Sequence, residues 1–308
     1  MQGGGASQAL DRIATVQHDA LENAGAAALP VRRCGPPLGN VTMDLKLSGK
    51  RALVTGGSKG IGRAIAWQLA LEGVDVVIAA RNQAELDAAA AELARESGRN
   101  VVGLTVDTQL DASVKALVAG TVAALGGLDI LVNAAARPAS QAAPPKLADI
   151  TDALFWDDVN VKVMGYLRTA REAAPIMAAN GWGRIINISG LNARMAGSAI
   201  GSIRNVAVAA LTKNLADELG PKGINVTVVH PGVTRTEKTA GMFAARAADA
   251  GVDAAEMERR AVANVSIGRL VDAAEIADLV AFLASPRSVA INGDAIAAGG
   301  GAKGAIHY

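Results

Sequence analysis

Thr55-Gly56-Gly57-Ser58-Lys59-Gly60-Ile61-Gly62 decides the fold. The apolar run Ala52-Leu53-Val54 precedes it, and Ala64, Ile65, Leu69 and Leu71 follow at helical spacing, so the segment reads as strand, glycine turn and helix. Glycine at positions 56, 60 and 62 admits left-handed backbone angles and lets a diphosphate approach main-chain N–H groups without meeting a Cβ. The positive end of the helix then favours an anion. Many tight turns use glycine for shape alone, and the βαβ context is what makes this one a dinucleotide signal.

Apolar runs recur between helical patterns at 51–55, 74–79, 101–105, 129–132, 184–188, 224–229 and 294–298. Seven strands alternating with helices predict a single α/β domain, a Rossmann-type doubly wound, seven-stranded parallel sheet. Ligands bind such sheets beyond the carboxyl ends of the strands. The segment 233–263, with Met242 and Phe243 among small and polar residues, reads either as a lid over the site or as a surface helix pair.

Among 308 residues the formal net charge is +1 and the hydrophobic fraction 51%, which fits a soluble α/β domain and excludes a nucleic-acid binder or a disordered chain. No apolar run reaches the roughly 18 residues that span a bilayer. Cys34 is the only cysteine, so neither an internal disulfide nor a cysteine metal site is expected, and a cytoplasmic location fits. Residues 1–42, rich in glycine and alanine, read as a flexible N-terminal extension ahead of a domain at 43–308, or as sequence upstream of a functional start at Met43.

Further segments follow in order: Val106-Asp107, Asp129-Ile130-Leu131-Val132-Asn133-Ala134-Ala135-Ala136, Asp158-Val159-Asn160-Val161, Asn187-Ile188-Ser189-Gly190 and Pro231-Gly232-Val233-Thr234-Arg235-Thr236. With the Thr-Gly-x-x-x-Gly-x-Gly turn they resemble the short-chain dehydrogenase/reductase family over about residues 46 to 300. Ala134 and Ala136 depart from its Asn-Asn-Ala-Gly motif. The resemblance implies a nicotinamide cofactor held by Gly56, Ser58, Lys59, Gly60, Ile61, Gly62, Arg81, Asp107, Asn133, Asn205, Pro231, Gly232, Val233 and Thr236. It also implies a homodimer or homotetramer packed through helices at 155–180 and 198–219, where Ile203, Val206, Ala207, Ala210 and Leu211 form an apolar stripe that faces either a symmetry mate or the sheet. NADP(H) is expected over NAD(H): Ala80 stands where NAD enzymes place a ribose-binding acid, and Arg81 and Lys59 suit a 2′-phosphate.

The catalytic end departs from the family. Its Tyr and Lys align with Gly201 and Asn205, or in a second frame with Ser202 and Val206. In either frame the pair is missing, since no Tyr lies between Tyr166 and Tyr308 and no Lys between Lys162 and Lys213. Asn160 matches the Asn that organises the family's relay water, while Ser189 and His230 are the candidates for handling the proton. Ser198, Ser202, Arg204 and a neighbouring subunit's Tyr308 are weaker substitutes. Arg137, Arg194, Arg204, Arg235 and Lys238 fall on loops expected around the substrate and would favour an anionic one if they converge. The expected function is NADP(H)-dependent hydride transfer to or from a small carbonyl, imine or activated alkene. Its rivals are a nucleotide-binding pseudo-enzyme, acting as sensor or oligomer partner, and a lyase or isomerase in the same pocket.

Overall fold

The computed structural model describes residues 43–136 and 144–304. The extension at 1–42, Arg137 and Tyr308 lie outside the described residues, and residues from Leu45 onward form one compact unit. The chain runs β1 (Arg51–Thr55), α1 (Gly60–Leu71), β2 (Asp75–Ala80), α2 (Gln83–Ser97), β3 (Val101–Thr105), α3 (Asp111–Leu125) and β4 (Ile130–Asn133). It continues through α4 (Asp152–Val159), a π-helical turn (Asn160–Met164), α5 (Gly165–Ala179), β5 (Gly183–Ile188), α6 (Ala199–Leu219) and β6 (Ile224–Pro231). Last come β7 (Thr234–Arg235), α7 (Thr239–Ala250), α8 (Ala254–Ala263), β8 (Val271–Asp272), α9 (Ala273–Ala284) and β9 (Ala295–Ala298).

Seven strands form one parallel sheet in the order β3-β2-β1-β4-β5-β6-β9, with β7 and β8 paired separately. All seven expected strands are present, each within two residues of its sequence boundaries. Alternation along the strands divides the core in two. Ala52, Val54, Val76 and Ile78 face Ile65 and Leu69 of α1, Leu86 of α2 and Val280 of α9. Leu53, Val77 and Leu131 face the other way, onto Leu117 of α3, Met177 of α5 and Leu219 of α6. Because both faces are covered, the strands read as continuous apolar runs rather than alternating ones.

The strand order reverses between β1 and β4, the place where a doubly wound sheet leaves a crevice at its carboxyl edge. The segment 233–263 forms the helix pair α7 and α8, with Phe243 and Ala247 buried, as the surface-pair reading holds. Its leading end also reaches the glycine turn: Thr236 Cγ2 would lie 3.7 Å from a Cβ on Gly60.

At Gly62 the constraint is space. A Cβ there would run into the Gly56 carbonyl oxygen, and both partners are main chain with no freedom to step aside. Gly62→Ala should therefore lower the melting temperature by several degrees, the scale of about 1–3 kcal/mol of overpacking in a domain of this size. A thermal melt checks it, and an unchanged midpoint would show that the turn opens freely.

Candidate dinucleotide site

Gly56 N donates to Ala79 O at 2.7 Å, fixing the turn against β2. The Gly56 φ is +70°, and a Cβ there would stand 2.8 Å from Ala134 O, so the loop after β4 passes too close for any side chain. Thr55 Oγ1 straps that loop down by accepting from Ala134 N at 3.2 Å and Ala135 N at 3.3 Å. Beyond these contacts opens a cavity of about 460 Å³ at the carboxyl ends of β1 to β4. Gly56, Ser58, Lys59, Arg81 and Asp107 line it, as do Ala134, Val161 and Lys238. Its volume lies within the usual range for small-molecule sites.

Asn205, Thr236 and three further groups of expected ligand residues do not line this cavity. Asn133 is fully buried beneath it: its Nδ2 donates to Asn187 Oδ1 at 3.0 Å, and its Oδ1 accepts from Thr169 Oγ1 at 2.7 Å. Pro231, Gly232 and Val233 continue from β6 beside the site. Gly60, Ile61 and Gly62 open α1, which has no side-chain cap and no acid in its first turn. Instead Glu237, from the loop before α7, accepts from Gly60 N at 3.1 Å. A carboxylate thus stands where the helix end would take a diphosphate oxygen.

Ala80 offers no carboxylate, and Arg81 makes no ion pair among the described residues. Lys59 is held by Glu85 at 2.5 Å. That pair is nearly half exposed, so it is worth little, and a phosphate can compete for Lys59.

At the catalytic end, the first half of α6 carries no Tyr and no Lys. Gly201 has no spare room, since a Cβ there would sit 2.7 Å from Ser198 Oγ, which caps the helix. Asn205 is 3% exposed, and a lysine from outside α6 faces it. Lys162, also 3% exposed, donates from Nζ to Asn205 Oδ1 at 3.1 Å and to Ser189 O at 3.0 Å. Four residues later Tyr166 donates to Ile188 O at 2.8 Å, so both side chains cap the end of β5. The available signal was the spacing Lys162-x-x-x-Tyr166, the reverse of the family's order and on the preceding helix. The extra residue of the π-helical turn starting at Asn160 belongs to this arrangement, as such turns often do at functional sites.

Burial pushes the Lys162 ammonium down from 10.5 to about 7, helped by the Arg204 charge and opposed by Asp158. Between about pH 7 and 10.5 the unfolded chain holds more protons here than the folded one, so this residue's penalty is full below 7 and fades as pH rises through that window. Burial drives the Tyr166 phenol well above its ordinary range, so it stays protonated and serves the strand end.

The three expected catalytic residues separate. Ser189 Oγ donates to the Asn205 carbonyl at 3.3 Å, within the Lys162 cluster. His230, 1% exposed, accepts at Nδ1 from Gly190 N at 3.4 Å, on the far side of the same turn. Asn160 is displaced from them: it lines a smaller outer cavity with Trp156 and Met164, and its carbonyl accepts from Gly165 N. In its place Val161 borders the dinucleotide cavity and Lys162 reaches Ser189. The expected convergence of loop cations is also corrected. Arg194 donates to Ala295 O, Arg204 pairs with Asp158 at 2.6 Å, and Arg235 pairs with Glu258 at 2.5 Å, so of the four expected loop cations among the described residues only Lys238 lines the cavity, with Lys59 and Arg81 of the cofactor set.

Sheet, glycine turn and cavity define a Rossmann-type nucleotide-binding protein. The profile of the family described as enoyl-(acyl carrier protein) reductase matches residues 56–303. A putative ketoacyl reductase of Streptomyces coelicolor is 35% identical over 254 residues, which is 81% of this chain and 95% of the relative. Dehydrogenase/reductase SDR family member 4 of Oryctolagus cuniculus is 34% identical and covers 85% of this chain and 96% of its own. Among solved structures, L-sorbose reductase from Gluconobacter frateurii, complexed with NADPH and L-sorbose, superposes with a TM-score of 0.80 at 30% identity, covering 86% of this chain and all of that one (100%). An actinorhodin polyketide ketoreductase variant with NADPH gives 0.75 at 34%, over 82% of this chain and 96% of that one. The chain belongs to the short-chain dehydrogenase/reductase family.

Glu237 competes with any anion brought to α1. Glu237→Gln should tighten NADPH binding by about threefold, the worth of one charge at a helix end. Calorimetric titration checks it, and weaker binding by the variant would mean that Glu237 helps to hold the ligand.

Proposed function

We propose that the protein is an NADP(H)-dependent oxidoreductase that moves hydride to or from a small carbonyl, imine or activated alkene, with a proton-transfer system that does not use Tyr and Lys on one helix. The supporting observation is the cavity over the glycine turn, bordered by Arg81, which has no ion pair among the described residues, and lacking an acid at Ala80. The NADPH complexes among similar structures point the same way.

In this reading Ser58 and the main-chain N–H groups of Gly60, Ile61 and Gly62 take the diphosphate once Glu237 withdraws. Arg81 and Lys59 take the 2′-phosphate, and Asp107 the adenine. Asn205 serves the nicotinamide ribose, and Pro231, Gly232, Val233 and Thr236 the nicotinamide itself, while Gly56 and Asn133 shape the site from below. The bound cofactor supplies or accepts hydride. Ser189 is the best placed of the three polar candidates, because its hydroxyl needs only to rotate away from the Asn205 carbonyl to donate to an oxyanion. His230, behind the Gly190 amide, is a proton store rather than a first donor. Asn160 supports the turn through its carbonyl.

We propose a cytoplasmic location as a separate expectation; among the described residues no helix is long and apolar enough to cross a membrane. A homodimer or homotetramer fits the exposure of Ile203 (52%) and Val206 (50%) on α6. The sheet takes the opposite positions, Val208, Thr212 and Ala216. The absence of a phenol on the exposed front of α6 favours one rival, a nucleotide sensor without turnover.

NADPH should bind at least about tenfold tighter than NADH, and Arg81→Ala should erase most of the difference, as loss of a charge-assisted contact would. Equal affinities in the native protein would refute the NADP(H) assignment. Oxidation of NADPH with a panel of diketones and ketoesters separates the readings, since binding without turnover on any of them selects the sensor.

A further inference from the structure

Taking NADP(H) as the cofactor, the geometry points to Lys162 as the buried cation of the active site, a positioning residue that replaces the missing helix lysine from a different helix and acts through Asn205. An ammonium group only donates hydrogen bonds, so the Asn205 carboxamide must turn its Oδ1 to Lys162. The Nδ2 is thereby committed to the opposite side as a donor. That side is Gly190, where an added Cβ would stand 3.0 Å from Asn205 Nδ2.

Glycine at 190 is not there for backbone reasons. Its φ is 176°, an extended conformation open to any residue. What glycine provides is an uncovered face over the Asn205 amide, next to the carboxyl ends of β4 and β5. Lysine, carboxamide and bare glycine thus line up from the interior to the site, each making sense only with the next. A purely structural lysine needs no such opening, and replacing it with a well-packed apolar residue would cost less than burying a charge.

Asp158 of α4 and Arg204 of α6 pair with each other beside Lys162, and His230 of β6 lies across the Ser189–Gly190 turn. The Asp158–Arg204 pair is close to neutral, so the net charge of the cluster rests on Lys162. That charge sits below the proposed ribose contact and makes the Asn205 amide a stronger donor. It is lost near neutral pH as the ammonium gives up its proton.

The deciding experiment measures NADPH dissociation constants from pH 6 to 9 for the native protein and for Lys162→Met, Asn205→Ala, their double variant, Gly190→Ala, and the exchanged pair Lys162→Asn with Asn205→Lys. The native protein should weaken as pH passes about 7, whereas Lys162→Met should bind about tenfold more weakly at pH 6 and lose the inflection. Asn205→Ala should match it, the double variant should be no weaker than either single, and Gly190→Ala should weaken binding with the inflection intact. The exchanged pair returns an ammonium to the cluster and should restore affinity to within about threefold of native, which decides the matter even if Lys162→Met fails to fold. Additive losses in the double variant overturn the proposal, as does an inflection that persists in Lys162→Met. A native protein that binds no NADPH at any pH overturns the cofactor reading as well, and that result is distinct from pH-independent binding that ignores Lys162.

Discussion

A chain of buried hydrogen bonds under the site ties α5 and α6 to the middle of the sheet. Thr169 on α5 donates to Asn133 on β4, Asn133 donates to Asn187 on β5, and Asn187 donates to Thr212 on α6. Thr212 closes the chain on the Val208 carbonyl. All four side chains are at most 1% exposed, so each has to be satisfied internally, and a broken link would leave a polar group with no water to replace its partner. The register of α5 and α6 against the strand ends is therefore held by geometry as well as by apolar packing. Everything above depends on that register, including the approach of Lys162 to Ser189 and Asn205.

Two devices at the site occupy space that an active complex would need filled differently. Glu237 satisfies the Gly60 amide in place of an anionic ligand, and Glu85 satisfies Lys59. Both are exposed or nearly so, and contacts of this kind yield readily to a multiply charged phosphate. They keep the basic turn quiet without locking it. The deeper contacts, from Gly56 under Ala134 to Lys162 under Asn205, offer no such freedom, because main chain and fully buried donors surround them.

Lys162 also shows what a buried charge demands. Lys162 has two acceptors and an ion pair beside it, yet burial still pulls its proton affinity down to about 7. A lysine at 205 would place a second ammonium in the same pocket, and a side chain at 201 would collide with the cap of α6.

The amino-acid sequence by itself determined the sheet. Apolar runs buried on both faces, separated by helical periodicity, leave no other arrangement, and the glycine turn is readable because φ near +70° and a main-chain approach at Gly56 admit one residue type. It also showed that the first half of α6 carries no Tyr and no Lys, a matter of composition alone. The approach of Lys162 to Asn205 was decided only in three dimensions. Lys162 and Asn205 are 43 residues apart and on different helices, and linear spacing carries no information about which side chains two packed helices turn toward each other. Sequence separation likewise hid Glu237 from Gly60, 177 residues away, and let Arg194, Arg204 and Arg235 look convergent when each had a partner elsewhere. Local steric rules are written in neighbouring residues, whereas the pairing of charges and donors is settled by packing.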